Sequence, residues 1–76
     1  MNNPRRKALQ ALYDQLTEIK DQLDEIRDEE EVYRDNIPEN LQGSERYEKA
    51  EAACDSLYEA ASHLDDAIDN IESATE

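Results

Sequence analysis

The chain has 76 residues, of which 21 are acidic and eight are lysine or arginine, and its net charge at pH 7 is −13. This charge excludes direct binding to nucleic-acid phosphates and to anionic membrane surfaces, because both would repel the protein, and it favours basic protein surfaces as partners. The single cysteine excludes an internal disulfide and a cysteine-based zinc site. With no long apolar run and no apolar leader, the sequence predicts a cytoplasmic protein without a membrane span.

The first helix is predicted over about residues 4–35. Asn3 followed by Pro4 predicts its start, since asparagine is a good N-cap and proline is tolerated at the first helical position. Apolar residues then recur at alternating steps of three and four, the period of helices that wind against another helix. With Leu9 labelled as heptad position a, both rows of this stripe are expected to face the partner helix. They are Leu9, Leu16 and Leu23 at a, and Leu12, Ile19 and Ile26 at d.

The outer surface of the first helix carries an acidic ridge. Aspartate occupies four successive f positions, which spaces these carboxylates about 10.5 Å apart along the helix. A run of charges is most often a solvated face, but such a ridge can also imitate nucleic-acid phosphates and occupy the binding channel of a basic protein. Both interpretations stay open. The candidate partner-binding residues of the acidic ridge are Asp14, Asp21, Asp28 and Asp35, with Glu18 and Glu25 beside them.

A short turn is predicted over residues 36–44. Pro38 disfavours helical backbone at Ile37, so the first helix ends at or before that residue. Ser44 is a good N-cap for a helix that starts at Glu45. The connection is short enough to make the two helices antiparallel neighbours. Apolar residues around the turn have two interpretations. Ile37, Leu41 and Tyr47 could close the end of the seam, or Tyr33, Leu41 and Tyr47 could form an exposed tip for a partner.

The second helix is predicted over about residues 45–75 and carries its own heptads. Cys54 lies at an a position, so it is expected to be a buried, unreactive thiol. Antiparallel packing places e positions against e positions, which sets the basic e edge of the first helix against the acidic e edge of the second. Such exposed ion pairs specify orientation more than stability. The predicted seam residues are Tyr47, Cys54, Ala61 and Ile68 at a, and Ala50, Leu57, Leu64 and Ile71 at d.

The sequence also predicts self-association. A domain this small rarely gains more than about 3–5 kcal/mol from its own core, and an alanine row along the g positions offers a flat, uncharged edge for another helix. Alanine is also simply a good helix former, which is the alternative explanation for this row. The predicted fold is therefore an all-α, antiparallel two-helix coiled-coil hairpin that dimerises into a four-helix bundle. The candidate interface residues are Ala53, Ala60, Ala67 and Ala74, with Gln15 and Gln22 opposite them.

No catalytic, cofactor-binding or metal-binding residues are predicted. His63 has Asp66 and Asp69 nearby, but a lone surface histidine in so acidic a chain is far more often incidental than a ligand. No serine, threonine or cysteine has a histidine at a spacing that suggests nucleophilic catalysis, and the single glycine excludes a phosphate-binding loop. The chain is therefore expected not to be an enzyme and to need no cofactor.

The residues from Asn36 to Glu51, preceded by the acidic run Arg27–Glu31, resemble small helical-hairpin proteins encoded by phages and prophages of Gram-positive bacteria. That family carries no agreed activity, but compact phage accessory genes often encode inhibitors of host proteins, including defence nucleases. The resemblance implies a non-enzymatic interaction module that inhibits a defence or nucleic-acid-handling protein in the cytoplasm of a bacterial host. The alternative is a structural hairpin with no target beyond its own oligomer.

Overall fold

The computed structural model describes all 76 residues as two long helices joined by a short turn. Helix α1 spans Asn3–Asp35, a single 3-10 turn spans Glu39–Leu41, and helix α2 spans Glu45–Thr75. The helices pack along their length into a rod that measures 59 × 14 × 13 Å. The predicted all-helical hairpin, with no strand, is confirmed.

The helix ends follow the capping chemistry of the sequence. Ser44 caps α2 as predicted, because its hydroxyl accepts a hydrogen bond from the backbone N–H of Tyr47 at 3.3 Å. At α1 the predicted cap is wrong by one residue, since the side chain of Asn2, and not that of Asn3, accepts from the N–H of Arg5 at 2.9 Å. Pro4 therefore occupies the second helical position, where its missing N–H is again not required.

The core is narrow and is provided by α2 and the turn. The buried residues are Ile37, Ala50, Cys54, Ala61 and Ile68, and none belongs to α1. Small side chains dominate this set, so the backbone of α2 lies close to the facing helix. The predicted burial of Cys54 is confirmed, with 1% of its surface exposed.

Helix α1 is rotated about its axis relative to the sequence prediction. Its a row is half-buried as expected, but its e row is half-buried too. The d row, predicted to lie on the seam, is instead about half exposed: Leu12 by 48%, Ile19 by 50% and Ile26 by 55%. The prediction of a symmetric a and d seam is therefore wrong for α1. Lys20 and Arg27 at e contribute to the difference, because their aliphatic stems pack at the seam while their charged ends reach Asp65 and Tyr58 on α2.

Candidate functional site

Two contacts identify the side of the hairpin on which the e rows meet. The Nζ atom of Lys20 lies 3.0 Å from the Oδ1 atom of Asp65 on α2 and 3.6 Å from the Oδ2 atom of Asp24 on its own helix. Nearer the turn, the Cζ atom of Arg27 lies 4.5 Å from the centroid of the Tyr58 ring. The four groups that make these contacts between the helices all occupy e positions, so the predicted e-to-e edge is present and the helices run antiparallel.

The ionic pairing along this edge is sparser than the sequence predicts. Only Lys20 forms an ion pair between the helices. Arg27 stacks on Tyr58 and donates hydrogen bonds from its two Nη atoms to Asp24 at 3.1 Å and to Asp28 at 3.3 Å. Its buried Nε atom has no hydrogen-bond partner. Most carboxylates of α2 on this side consequently keep their charge free for an external cation.

The e edge opens onto a surface that we call the acidic face. Helical periodicity places positions b and f of α1 and positions b and e of α2 on this side of the rod. The four aspartates of the acidic ridge belong to it and are exposed, whereas Glu18 and Glu25 are exposed at the outer edge of α1. The candidate residues predicted from the sequence all lie on α1, and the structure adds the carboxylates of α2 that lie beside the e edge. The carboxylates of the acidic face are Asp14, Asp21, Asp24, Asp28, Glu31 and Asp35 on α1, and Glu48, Glu51, Asp55, Asp65, Asp69 and Glu72 on α2.

The opposite side of the rod, which we call the acid-poor face, is marked by a contact near the turn. Arg46, at position g of α2, donates a hydrogen bond from Nε to the hydroxyl of Tyr33, at position d of α1, over 2.6 Å. Rows d and g of α1 and rows g and c of α2 therefore share this side, and Glu29 is their only acidic residue. Of the predicted interface residues, Ala53, Ala60 and Ala67 are half-buried, and Ala74, Gln15 and Gln22 are exposed.

Three groups around the seam hold their protons more tightly in the folded chain. Burial raises the pKa of the Cys54 thiol above 9.0. The neighbouring Glu31 carboxylate raises the pKa of Tyr58 above 10.0. The hydrogen bond to Asp65 raises the pKa of Lys20 above 10.5.

These shifts predict that the hairpin loses stability in alkali. A raised folded pKa means that the native state binds more protons than the unfolded state, so stability present below the unfolded pKa is lost as pH rises through the folded one. The melting temperature should fall between pH 9 and pH 11, and less steeply in Tyr58→Phe, which lacks one of the three groups. Circular dichroism melts across this range measure both slopes. A melting temperature that stays constant, or an equal slope in the variant, would contradict the assignment.

The hairpin encloses no cavity, and no three histidine, cysteine or carboxylate side chains are grouped so that they would hold a metal ion, including those around His63. Neither helix combines the length and apolarity needed to cross a bilayer. No protein-family model matches the chain, and no curated protein and no solved structure is significantly similar to it.

Proposed function

We propose that this protein is a non-enzymatic interaction module whose acidic face binds a basic surface of another protein. The setting that fits best is a phage-encoded inhibitor, in the cytoplasm of its bacterial host, of a defence or nucleic-acid-handling protein. The single observation that carries the proposal is the concentration of carboxylates on one side of a rigid rod, with only one ion pair between the helices. A basic cleft is the surface that such a rod complements.

The density of charge supports mimicry of a nucleic-acid strand. Set against Lys20, Arg27 and Arg34, the twelve carboxylates of the acidic face leave nine net negative charges over about 36 Å, at ~1.5 Å per residue from Glu48 to Glu72. One charge per ~4 Å is close to the ~3.4 Å between phosphates along one strand of B-DNA, and about half the density of the duplex. The acidic face therefore resembles one strand rather than two.

Neutralising part of the acidic face tests this function. The triple variant Asp14→Asn, Asp21→Asn and Asp28→Asn should bind its target about 10- to 100-fold more weakly, since each exposed charge pair contributes up to ~1 kcal/mol. Binding of the wild-type protein should weaken as salt rises, and DNA or RNA should compete with it. Affinity chromatography of a bacterial lysate, followed by titration of the purified target, measures these effects.

A matched variant controls for the loss of charge. The triple variant Glu39→Gln, Glu59→Gln and Asp66→Asn also removes three negative charges, but outside the acidic face. It should leave target binding nearly unchanged. If both triple variants bind as well as the wild type, or if nucleic acid does not compete, mimicry by the acidic face is wrong.

A second candidate function is that of a structural hairpin that assembles with itself. The observation that favours it is the half-exposed d row of α1, which leaves large apolar side chains uncovered in a chain with only five buried residues. Two hairpins would then form a four-helix bundle, with the alanine row of α2 beside the d row. The two functions are compatible, since they use opposite sides of the rod.

A further inference from the structure

We infer that a second copy of this chain docks on the acid-poor face, with Leu12, Ile19 and Ile26 at the centre of the interface. The inference rests on the proposed self-association and gives it a surface and an orientation. It moves the centre of the interface from the alanine row of α2 to the d row of α1, because Ala53, Ala60 and Ala67 are already half covered within one hairpin.

The acid-poor face carries an exposed apolar row. Leu12, Ile19 and Ile26 are each about half exposed, they recur every seven residues, and the exposed side chains between them, Gln15 and Gln22, are uncharged. The chain exposes 5586 Å², whereas a compact monomer of 8.8 kDa is expected to expose about 4,800 Å². The excess of roughly 800 Å² belongs to the elongated chain as a whole, and it is similar in size to the area that one partner contributes to an interface of standard size.

Charge selects a second copy as the occupant. Two molecules with a net charge of −13 repel each other over most of their surface. The acid-poor face carries Glu29 as its only acid, together with Arg5, Arg46 and Lys49, so it is the side on which two copies approach without opposing rows of carboxylates. A strongly basic protein would instead be drawn to the opposite, acidic face.

The pairing of Arg5 with Glu29 favours an antiparallel arrangement of the two copies. Arg5 lies at one end of the d row and Glu29 lies near the other end. A two-fold axis across the middle of the row brings Glu29 of one copy to within an arginine side chain's reach of Arg5 of the other, and does so twice. A parallel arrangement would instead place Glu29 against Glu29 and Arg46 against Arg46. The antiparallel dimer leaves both acidic faces exposed on its outer sides, so it would present two of them.

Substitution of Ile19 tests the interface, with Val32 as a matched control. Ile19→Asp and Val32→Asp both replace a β-branched side chain of α1 that is at least half exposed, at 50% and 59%, and both add one negative charge. Only Ile19 lies on the acid-poor face. Because a two-fold interface contains each substitution twice, the dimer dissociation constant should rise about 100-fold or more in Ile19→Asp and little in Val32→Asp. Sedimentation equilibrium of the full chain measures both constants, with circular dichroism as the check on folding.

The wild-type protein provides an independent readout should Ile19→Asp fail to fold. Its mass in solution should be twice 8.8 kDa at micromolar concentration, its melting temperature should rise with protein concentration, and dimerisation should strengthen as salt screens the repulsion between copies. Salt has the opposite effect on target binding by the acidic face, so the two proposals fail separately. A wild-type monomer, a dimer that persists in Ile19→Asp, or equal dissociation of both variants would overturn this inference.

Discussion

Replacing Ala61 by aspartate should unfold the hairpin at 25 °C. Only 6% of Ala61 is exposed, and it lies at an a position of α2 against α1. Across the seam, Lys20 already contacts Asp24 and Asp65, and the Nη atoms of Arg27 already contact Asp24 and Asp28, so a buried carboxylate at position 61 would compete for cations that are already paired. Burying an unpaired charge destabilises a protein by several kcal/mol, which is as much as the roughly 3–5 kcal/mol that a domain this small possesses.

The matched control for this variant is Ala52→Asp, which makes the same substitution on the exposed side of α2. Its helical signal should equal that of the wild type, and its free energy of unfolding should stay within about 0.5 kcal/mol of the wild-type value, as is usual for surface changes. Far-ultraviolet circular dichroism and urea titration compare the two variants. If Ala61→Asp melts like Ala52→Asp, the helices do not pack closely at Ala61 and the described seam is wrong.

Truncating Ile37 should be the second most destabilising of these changes, at about 2–4 kcal/mol for Ile37→Ala. Ile37 is the one large aliphatic side chain of the turn that the structure buries, with 6% exposed. Its removal leaves a space at the closed end of the seam that the short turn cannot fill, and large-to-small changes at buried sites destabilise by this amount. A loss of this size would remove most of the free energy of unfolding of so small a domain.

Leu41 is the comparison for Ile37, because it lies four residues further along the same turn and is 45% exposed. Leu41→Ala should cost less than about 1 kcal/mol, since half of its side chain is in water in the folded state already. Urea-induced unfolding of both variants measures the difference. Equal losses would mean that Ile37 and Leu41 close the seam together, and a neutral Ile37→Ala would remove Ile37 from the core.

The turn shows how far local sequence reasoning reaches. Pro38 ends α1 and Ser44 starts α2 because both effects act on the backbone within a few residues, which a sequence displays directly. Gly43, the single glycine, is not required by the backbone of the turn. Its φ is negative, and a Cβ atom there would meet nothing within 4 Å. Which of the apolar turn residues is buried depends on how the chain crosses from one helix to the other, so the sequence predicts the set but not the choice of Ile37.

The start of α1 shows a different limit. Asn2 and Asn3 have the same capping chemistry, and Pro4 suits either of the first two helical positions. Neither residue type decides the boundary, and the structure selects Asn2 through its bond to the N–H of Arg5.

The heptads by themselves determined that the chain forms two helices, which face of α2 packs against α1 and that the e rows meet. These properties follow from the helical period and from the short connection, both of which are local. Tertiary structure alone decided the rotation of α1, because rows a, d and e all lie within one broad arc of a helix and only the contacts across the seam select among them. Lys20 on Asp65 and Arg27 on Tyr58 draw row e inward and turn row d outward. That rotation separates an acidic face from an acid-poor face, since it sets which rows of each helix share a side.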